Sequence, residues 1–120
     1  MKFSDIPGHK DVIEKLVRSV REERVSHAQL FTGPLGTGKL ALALAYAQFV
    51  SCENKLPAES CGHCKSCIKY EKMIHPDLHF VFPVIKGKKA VDPISANCFQ
   101  TIRVSTSYFS IFVNNAYQYI

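Results

Sequence analysis

The feature that most constrains this fold is a glycine-rich segment, Gly33-Pro34-Leu35-Gly36-Thr37-Gly38-Lys39. The apolar stretch before it, Ala28 to Thr32, predicts a buried strand, and the Ala- and Leu-rich stretch after it, Leu40 to Val50, predicts a helix apolar on most faces. This order matches the G-x-x-x-x-G-K pattern, in which backbone N–H groups and a helix N-terminus face an anion. The alternative interpretation is a tight turn without a ligand.

The residue after Lys39 departs from that pattern. The pattern has Ser or Thr there, whose hydroxyl coordinates Mg²⁺, whereas Leu40 offers no oxygen. Phosphoryl transfer depends on that metal for charge neutralisation. The sequence therefore predicts a loop that binds an anion, with ATP or ADP bound weakly and hydrolysed poorly or not at all. Its predicted phosphate-binding residues are Gly33, Pro34, Leu35, Gly36, Thr37, Gly38, Lys39 and Leu40.

Four of the five cysteines are clustered, as Cys52, Cys61, Cys64 and Cys67. Two residues between thiolates is the spacing that lets a tight turn present both sulfurs to one tetrahedral ion. Four protein ligands leave no place for water, so we predict a structural Zn²⁺ site. An iron–sulfur cluster and a disulfide pair are the alternatives.

The surroundings of this cluster give further expectations. Lys55, Lys65 and Lys69 are close enough in sequence to offset the −2 charge of a Zn(Cys)₄ centre. His63 is surplus to four thiolates and is expected to face solvent. His75 is expected to cap or orient the strand that follows it, and Cys98 to be a bystander thiol.

The remaining segments predict a small number of elements. Helical spacing from Val12 to Val20 predicts a helix that starts at Asp11 or at the Gly8-His9 turn. Ser66 to Ile74 predicts a short helix, and the alternation of Asp77 to Val84 predicts a second strand. The nearly uncharged tail, Cys98 to Ile120, predicts a helix or strand that needs a core to bury it.

Composition limits the class of protein. A hydrophobic content of 47% supports a packed core, and the longest apolar run is too short to cross a bilayer. The first residues lack the features of a secretory signal, so we expect a cytoplasmic protein. The net charge of +5, with both signs mixed, is not by itself a nucleic-acid signature.

The motifs together resemble one family. The run from Ser26 to Pro34 leading into Gly36-Thr37-Gly38-Lys39, the cysteines spaced by eight, two and two residues, and His75-Pro76-Asp77 are similar to the opening of bacterial DNA polymerase III clamp-loader subunits. The resemblance covers about residues 1–84. It implies an α/β fold of the AAA+ P-loop NTPase type, with a parallel sheet flanked by helices and an inserted zinc module at 51–74.

The resemblance also implies a role. The motor branch of this family, gamma/tau, has Thr or Ser in place of Leu40 and hydrolyses ATP, whereas the stator branch, delta prime, often has an eroded loop. Leu40 therefore favours the stator branch, which implies a hetero-pentamer with other clamp-loader subunits that helps load the sliding clamp on primed DNA. Such a subunit is a component of a DNA polymerase complex and has no catalytic residue of its own.

The chain also departs from the family. No segment resembles the Walker B motif, the Ser-Arg-Cys segment, the lid or the collar, so we expect an incomplete N-terminal piece. We divide it into a partial AAA+ domain at 1–97 and a tail of uncertain structure at 98–120. An active ATPase of the same fold and a zinc-stabilised nucleic-acid-binding module remain the alternatives.

Overall fold

The computed structural model describes residues 1–34, 36–81, 99–104 and 109–114. A 3-10 helix, Phe3–Asp5, precedes the larger elements. These are α1 (Lys10–Arg21), β1 (Ala28–Phe31), α2 (Lys39–Ser51), α3 (Lys65–Glu71), β2 (Leu78–Val81), β3 (Phe99–Val104) and β4 (Phe109–Asn114). The predicted order of strand, glycine loop and helix is therefore present as β1, residues 32–38 and α2.

Helix α2 lies at the centre of the core. Every residue from Leu42 to Phe49 is buried, which confirms the prediction of a helix apolar on most faces. The Phe49 ring packs edge-on against Phe3, with ring centroids 5.7 Å apart. The Tyr46 hydroxyl accepts a hydrogen bond from Gln29 Nε2 of β1 at 3.1 Å, so the one phenol in this helix is satisfied although it is fully buried.

Helix α1 covers one side of this core. Val17 is buried, and the half-buried members of its apolar stripe, Ile13, Leu16 and Val20, pack against the core residues. The helix begins after His9, which has a left-handed backbone conformation, so the Gly8-His9 turn rather than Asp11 marks its start. It is closed by a Schellman turn in which Arg24 N–H donates to the Ser19 carbonyl at 2.9 Å.

Helix α3 ends earlier than Ile74, the end that the sequence predicts. Met73 adopts a positive φ of 58°, and Ile74 N–H donates to the Lys69 carbonyl at 2.9 Å. This pair of features is a second Schellman turn, which reverses the chain toward β2. The helix stops because the turn takes up its last carbonyls before Pro76 is reached.

The sheet is mixed, which corrects the expectation of a parallel sheet. Its strand order is β1-β4-β3-β2, with β1 and β4 parallel and the other two pairs antiparallel. Only the four residues 105–108 separate β3 from β4, and a parallel connection needs a crossover of a dozen or more residues. The two described strands of the 98–120 tail thus share one sheet with β1 and β2, while the division of the chain at residue 97 stays a prediction.

Strand β1 is less buried than the sequence indicated. Its residues alternate between exposed and half-buried, and Leu30 is 58% exposed. The reason is its position: among the described strands β1 lies at one edge of the sheet, and no described element covers the face that carries Leu30. The prediction of a strand from this apolar run is confirmed, and the prediction that the strand is buried was wrong.

Strand β2 keeps the predicted alternation where it is described. Leu78 is buried and Phe80 half-buried, whereas His79 between them is exposed. The remainder of the predicted strand, residues 82–84, lies outside the described residues, as does Cys98. In the described part of the chain no helix combines the length and the apolar character needed to span a bilayer.

Candidate functional site

The glycine-rich loop connects the end of β1 to the start of α2. Gly36 and Gly38 both have φ of 75°, a left-handed conformation that glycine adopts without strain. Gly38 is the N-cap of α2 and has no side chain to occupy the first N–H groups of the helix. These N–H groups are therefore available to an anion, as the pattern predicts. Leu35 lies outside the described residues.

Lys39 points back into the loop. Its side chain is buried, and Nζ donates hydrogen bonds to the Gly33 carbonyl at 2.8 Å and to the Pro34 carbonyl at 2.5 Å. Thr37 Oγ1 also donates to the Pro34 carbonyl, at 2.9 Å. The loop thus holds its own ammonium group, which an incoming phosphate would have to draw away from two carbonyl oxygens.

Two cavities lie beside the loop. One of about 520 Å³ is lined by loop residues together with α1 and β1, and another of about 350 Å³ lies between the loop and the start of the chain. His9 lines both, and its Nε2 contacts the Thr37 carbonyl at 2.7 Å. Both volumes lie in the range of small-molecule sites in proteins.

Leu40 is half-buried and packs against the hydrophobic core. An aliphatic side chain that packs in this way contributes to the stability of α2 and provides no metal ligand. Between Gly33 and Lys39 the described hydroxyl is that of Thr37, and its hydrogen is donated to the Pro34 carbonyl.

The second site is formed by four buried cysteine thiols: Cys52 at the end of α2, Cys61, Cys64 at the start of α3, and Cys67 within that helix. All four Sγ atoms lie within 4.8 Å of one another. Three of the separations are 3.5, 3.6 and 3.9 Å, for the pairs 52–61, 52–67 and 61–67. The sequence prediction that these residues converge is confirmed.

These separations fit a single ion. Four sulfurs at about 2.3 Å from a zinc ion stand about 3.8 Å apart at the corners of a tetrahedron. A disulfide would bring two sulfurs to about 2.05 Å, and all four thiols are free. An iron–sulfur cluster spreads its cysteine ligands around several irons, so this close set suits one metal ion better.

Backbone N–H groups point at the sulfurs. Cys61 N donates to Cys52 Sγ, Cys64 N to Cys61 Sγ and Cys67 N to Cys64 Sγ, at 3.3 to 3.4 Å. Burial by itself raises the pKa of the Cys61 thiol, but the N–H donors outweigh it and lower this pKa to about 6. Burial raises the pKa of Cys67 to about 12. The site thus supplies donors for thiolates, which are the form that binds metal.

Several lysines lie around the cysteines, and the sequence analysis did not predict one of them, Lys2. Lys2 lies against the turn at Gly62, where a Cβ atom would stand 2.9 Å from its Nζ. Gly62 has a φ of 80°, a left-handed conformation that glycine adopts without strain, so the turn favours glycine. Lys55 Nζ donates to the Cys52 carbonyl at 3.1 Å, whereas Lys65 and Lys69 are exposed on α3.

A buried polar link ties the cysteine module to the core. Gln48 in α2 accepts a hydrogen bond from the Met1 amino group at 3.0 Å and donates one to Ser60 Oγ at 3.1 Å. Both side chains are buried, so these partners prevent the cost of unsatisfied polar groups. A lone Gln in an otherwise apolar helix is the sequence signal that could have indicated this link.

His75 bridges α3 and β2, as expected of a residue that orients the following strand. Its Nε2 lies 3.2 Å from Ser66 Oγ, and its Nδ1 accepts a hydrogen bond from Asp77 N–H at 3.2 Å. Because Nδ1 is the acceptor, the proton is on Nε2 and is donated to Ser66. This is the reverse of the arrangement in a Ser-His-Asp triad, where Nδ1–H donates to the carboxylate. His63, as expected, is exposed.

Comparison with known proteins identifies relatives of the chain. A family model described as DNA polymerase III, delta subunit, matches residues 8–116. DNA polymerase III subunit delta' of Bacillus subtilis is 44% identical over 72 residues, which are 60% of this chain and 22% of the relative. Subunit tau of the same organism is 36% identical over 66 residues, 55% of this chain and 12% of the relative.

A third relative, subunit tau/gamma of Haemophilus influenzae, is 33% identical over 70 residues, 58% of this chain and 10% of the relative. The chain thus spans less than a quarter of the length of each of these relatives. The family match, in contrast, covers most of the chain and includes both the glycine loop and the four cysteines. The chain therefore belongs to the DNA polymerase III delta subunit family and is related to the clamp-loader subunits that its motifs resemble.

Proposed function

We propose that this chain belongs to a stator subunit of the delta prime type in a bacterial clamp loader. In this role it assembles with other clamp-loader subunits in a cytoplasmic hetero-pentamer that loads the sliding clamp on primed DNA. Membership of the delta subunit family and the 44% identity to a delta' subunit support the proposal. It assigns the chain a scaffolding role rather than ATP turnover.

The environment of Leu40 is the observation that carries the stator assignment. Where the phosphate-binding pattern has a magnesium ligand, this side chain packs against the core instead. Without that ligand the metal lacks its protein oxygen, and phosphoryl transfer loses the charge neutralisation on which it depends. The loop then holds ATP or ADP weakly through its N–H groups and Lys39, and does not turn it over.

The four cysteines are proposed to hold one structural Zn²⁺. The converging sulfurs, the N–H groups that point at them and the filled set of four ligands support this assignment. When bound, the ion supplies a cross-link between α2, the loop after it and α3. Every ligand position is a cysteine, so no position remains for an activated water and no catalytic role is expected for the site.

Restoring the hydroxyl tests the assignment. Leu40→Thr should bind ATP about tenfold more tightly in the presence of Mg²⁺, a change of about 1.4 kcal/mol, because the metal regains its ligand. Hydrolysis should stay slow, because no segment of this sequence resembles the acidic Walker B motif. Isothermal titration with ATP, with and without Mg²⁺, measures the first effect, and phosphate release measures the second.

The matched control is Ala41→Thr, which adds the same hydroxyl one position further along α2 and should not change Mg²⁺-dependent binding. Adding Lys39→Ala to Leu40→Thr should remove the gain. The stator proposal would be wrong if the wild-type chain itself hydrolysed ATP in a reaction that Lys39→Ala abolished. That outcome would favour an active subunit of the gamma/tau type, a reading to which the retained Lys39 and the 36% identity to a tau subunit lend support.

A further inference from the structure

A groove of about 600 Å³ lies away from the phosphate loop, between α1 and the cysteine module. Its floor is apolar and includes the buried residues Phe3 and Val17, with the half-buried Ile13 beside them. Pro57 and Ala58 of the module form the opposite wall. A concave site with an apolar floor of this volume can enclose a side chain of a binding partner.

The α1 side of the groove carries three cations, Lys10, Arg18 and Arg21. Arg18 and Arg21 are three positions apart and therefore adjacent on the helix surface. All three are exposed, and within the described part of the chain none forms an ion pair. Two neighbouring guanidinium groups favour carboxylates, because each fork of N–H donors matches the two oxygens of one carboxylate.

The module side of the groove depends on the cysteines. Its wall belongs to the loop 53–60, which is flanked by Cys52 and Cys61, with their sulfurs 3.5 Å apart. Within the loop, Leu56 N–H donates to the Glu59 carbonyl at 2.9 Å, and the Glu59 carboxylate accepts from Ser4 N–H at 2.9 Å. An ion held by Cys52 and Cys61 would therefore close this loop and keep the wall in place.

We propose that this groove is a docking site for a segment of a partner protein that presents an apolar side chain flanked by carboxylates. The apolar side chain fills the floor over Phe3 and Val17, and the carboxylates pair with Arg18 and Arg21. With Glu14 and Glu59 also lining the groove, its three cations and two carboxylates give a net charge of only +1, which suits a segment with one or two carboxylates better than the polyanionic backbone of nucleic acid. The inference extends beyond the proposed function, since it requires neither nucleotide nor a sliding clamp.

The described residues of the groove also offer no exposed aromatic ring, which single-stranded nucleic acid requires. Bases bind proteins largely by stacking on aromatic side chains. Among the described residues that line the groove, the one aromatic is Phe3, which is 5% exposed and packs against Phe49. A protein segment needs only the apolar floor and the cations, and both are present.

The test starts with a phage-displayed library of random peptides of about 15 residues. Selection uses the wild-type chain, with counter-selection against the double variant Arg18→Glu/Arg21→Glu. Enriched peptides should combine an apolar residue with neighbouring Asp or Glu. No enrichment over the counter-selected variant, or enrichment of peptides without carboxylates, would overturn the proposal.

Affinities of an enriched peptide, labelled with fluorescein, are then measured by fluorescence anisotropy. Arg18→Glu/Arg21→Glu should weaken binding by about tenfold or more, because two attractive charge pairs become repulsive. The matched control, Lys15→Glu/Arg24→Glu, makes the same change in net charge at exposed positions outside the groove and should change affinity less than about twofold. Equal losses in both variants would show non-specific charge attraction and overturn the proposal. Circular dichroism verifies that both variants are folded.

Two further measurements distinguish a protein partner from nucleic acid and test whether the cysteine module contributes to binding. Single-stranded DNA of about 20 nucleotides should not displace the peptide, and displacement that requires Arg18 and Arg21 would assign the groove to nucleic acid instead. Removing the metal with a chelator, or Cys64→Ser, should weaken peptide binding, since the wall loses its closure. Unchanged binding by the metal-free chain would contradict the module's role in the groove.

Discussion

At the scale of single residues, His75 links the cysteine module to the sheet. Its ring packs on Tyr70 of α3 with centroids 4.4 Å apart, while its two nitrogens contact Ser66 and Asp77 on either side of the turn. Burial lowers the pKa of His75 below its ordinary value of 6.5, and the nearby Asp77 carboxylate only partly opposes this effect. The folded chain therefore holds this ring neutral.

A neutral buried ring makes folding stability depend on pH. Below about pH 6.5 the unfolded chain binds a proton at His75 that the folded chain excludes, so its stabilising contribution is complete above that pH and is lost as the pH falls. The difference in free energy of unfolding between the wild type and His75→Gln should therefore shrink from about pH 7.5 to about pH 5.5. Urea denaturation of both proteins at the two pH values measures it.

The control for this comparison is His79→Gln, which removes an exposed histidine in the next strand. Its free energy of unfolding should stay within about 0.5 kcal/mol of the wild type at both pH values. A difference between wild type and His75→Gln that is the same at both values would contradict the assigned neutral state. The comparison between variants cancels the pH dependence of the cysteines, which all three proteins share.

At the scale of elements, the cysteine module is held mainly by its four sulfurs and by a few polar contacts. The module exposes four large apolar side chains, those of Leu56, Ile68, Met73 and Ile74. The module therefore buries little apolar surface of its own. Helix α3 has seven residues, too few to be stable alone in water. The metal is therefore expected to supply much of the module's local stability.

Cys64→Ser tests this expectation. It should lower the amide protection of residues 51–74 by about tenfold or more, because metal binding by such a module is coupled to its folding. Helix α2 from Lys39 to Phe49 should keep its protection, since the core rather than the sulfurs buries it. Hydrogen exchange read by mass spectrometry resolves the two regions. Cys98→Ser is the control, and loss of protection across both regions, or across neither, would contradict a separately stabilised module.

At the scale of the whole molecule, α2 is surrounded on all sides by other elements. The 3-10 helix, α3 and strands β3 and β4 all contact it. Ala43, Ala45 and Ala47 have almost no exposed surface, so neighbouring backbones approach the helix closely at these positions. Small side chains along this helix allow the sheet and the neighbouring helices to pack closely against it.

Ala47→Leu is expected to disturb the packing of α2 against the elements that contact it. Extra methylene groups in a well-packed core cost about 1–3 kcal/mol, so the free energy of unfolding should fall by that amount. Ala28→Leu, at an exposed position of β1, makes the same chemical change and should stay within about 0.5 kcal/mol of the wild type. Thermal and urea denaturation measure both. An Ala47→Leu protein as stable as the wild type would show that α2 is not closely packed.

Sequence patterns were sufficient wherever a structure depends on neighbours along the chain. The glycines of the loop, the spacing of Cys61, Cys64 and Cys67, and the stripe of α1 each predicted their element or site. Cys52 lies beside the other three cysteines, as predicted, because the loop that separates it from Cys61 is short. The predicted end of α3 was less accurate. Met73 adopts a positive φ there, and a methionine does not indicate such a conformation in the sequence as a glycine would.

The amino-acid sequence by itself determined the glycine loop, the clustering of four cysteines, the missing hydroxyl at Leu40 and the family. Only the tertiary structure decided that the sheet is mixed, that β1 lies at the edge of the described strands, that hydrogen bonds link Met1, Gln48 and Ser60, and that a charged groove lies beside the module. The physical reason is distance along the chain. Turns and metal knuckles follow from local backbone preferences, whereas contacts between residues some tens of positions apart depend on how the helices and strands bury one another.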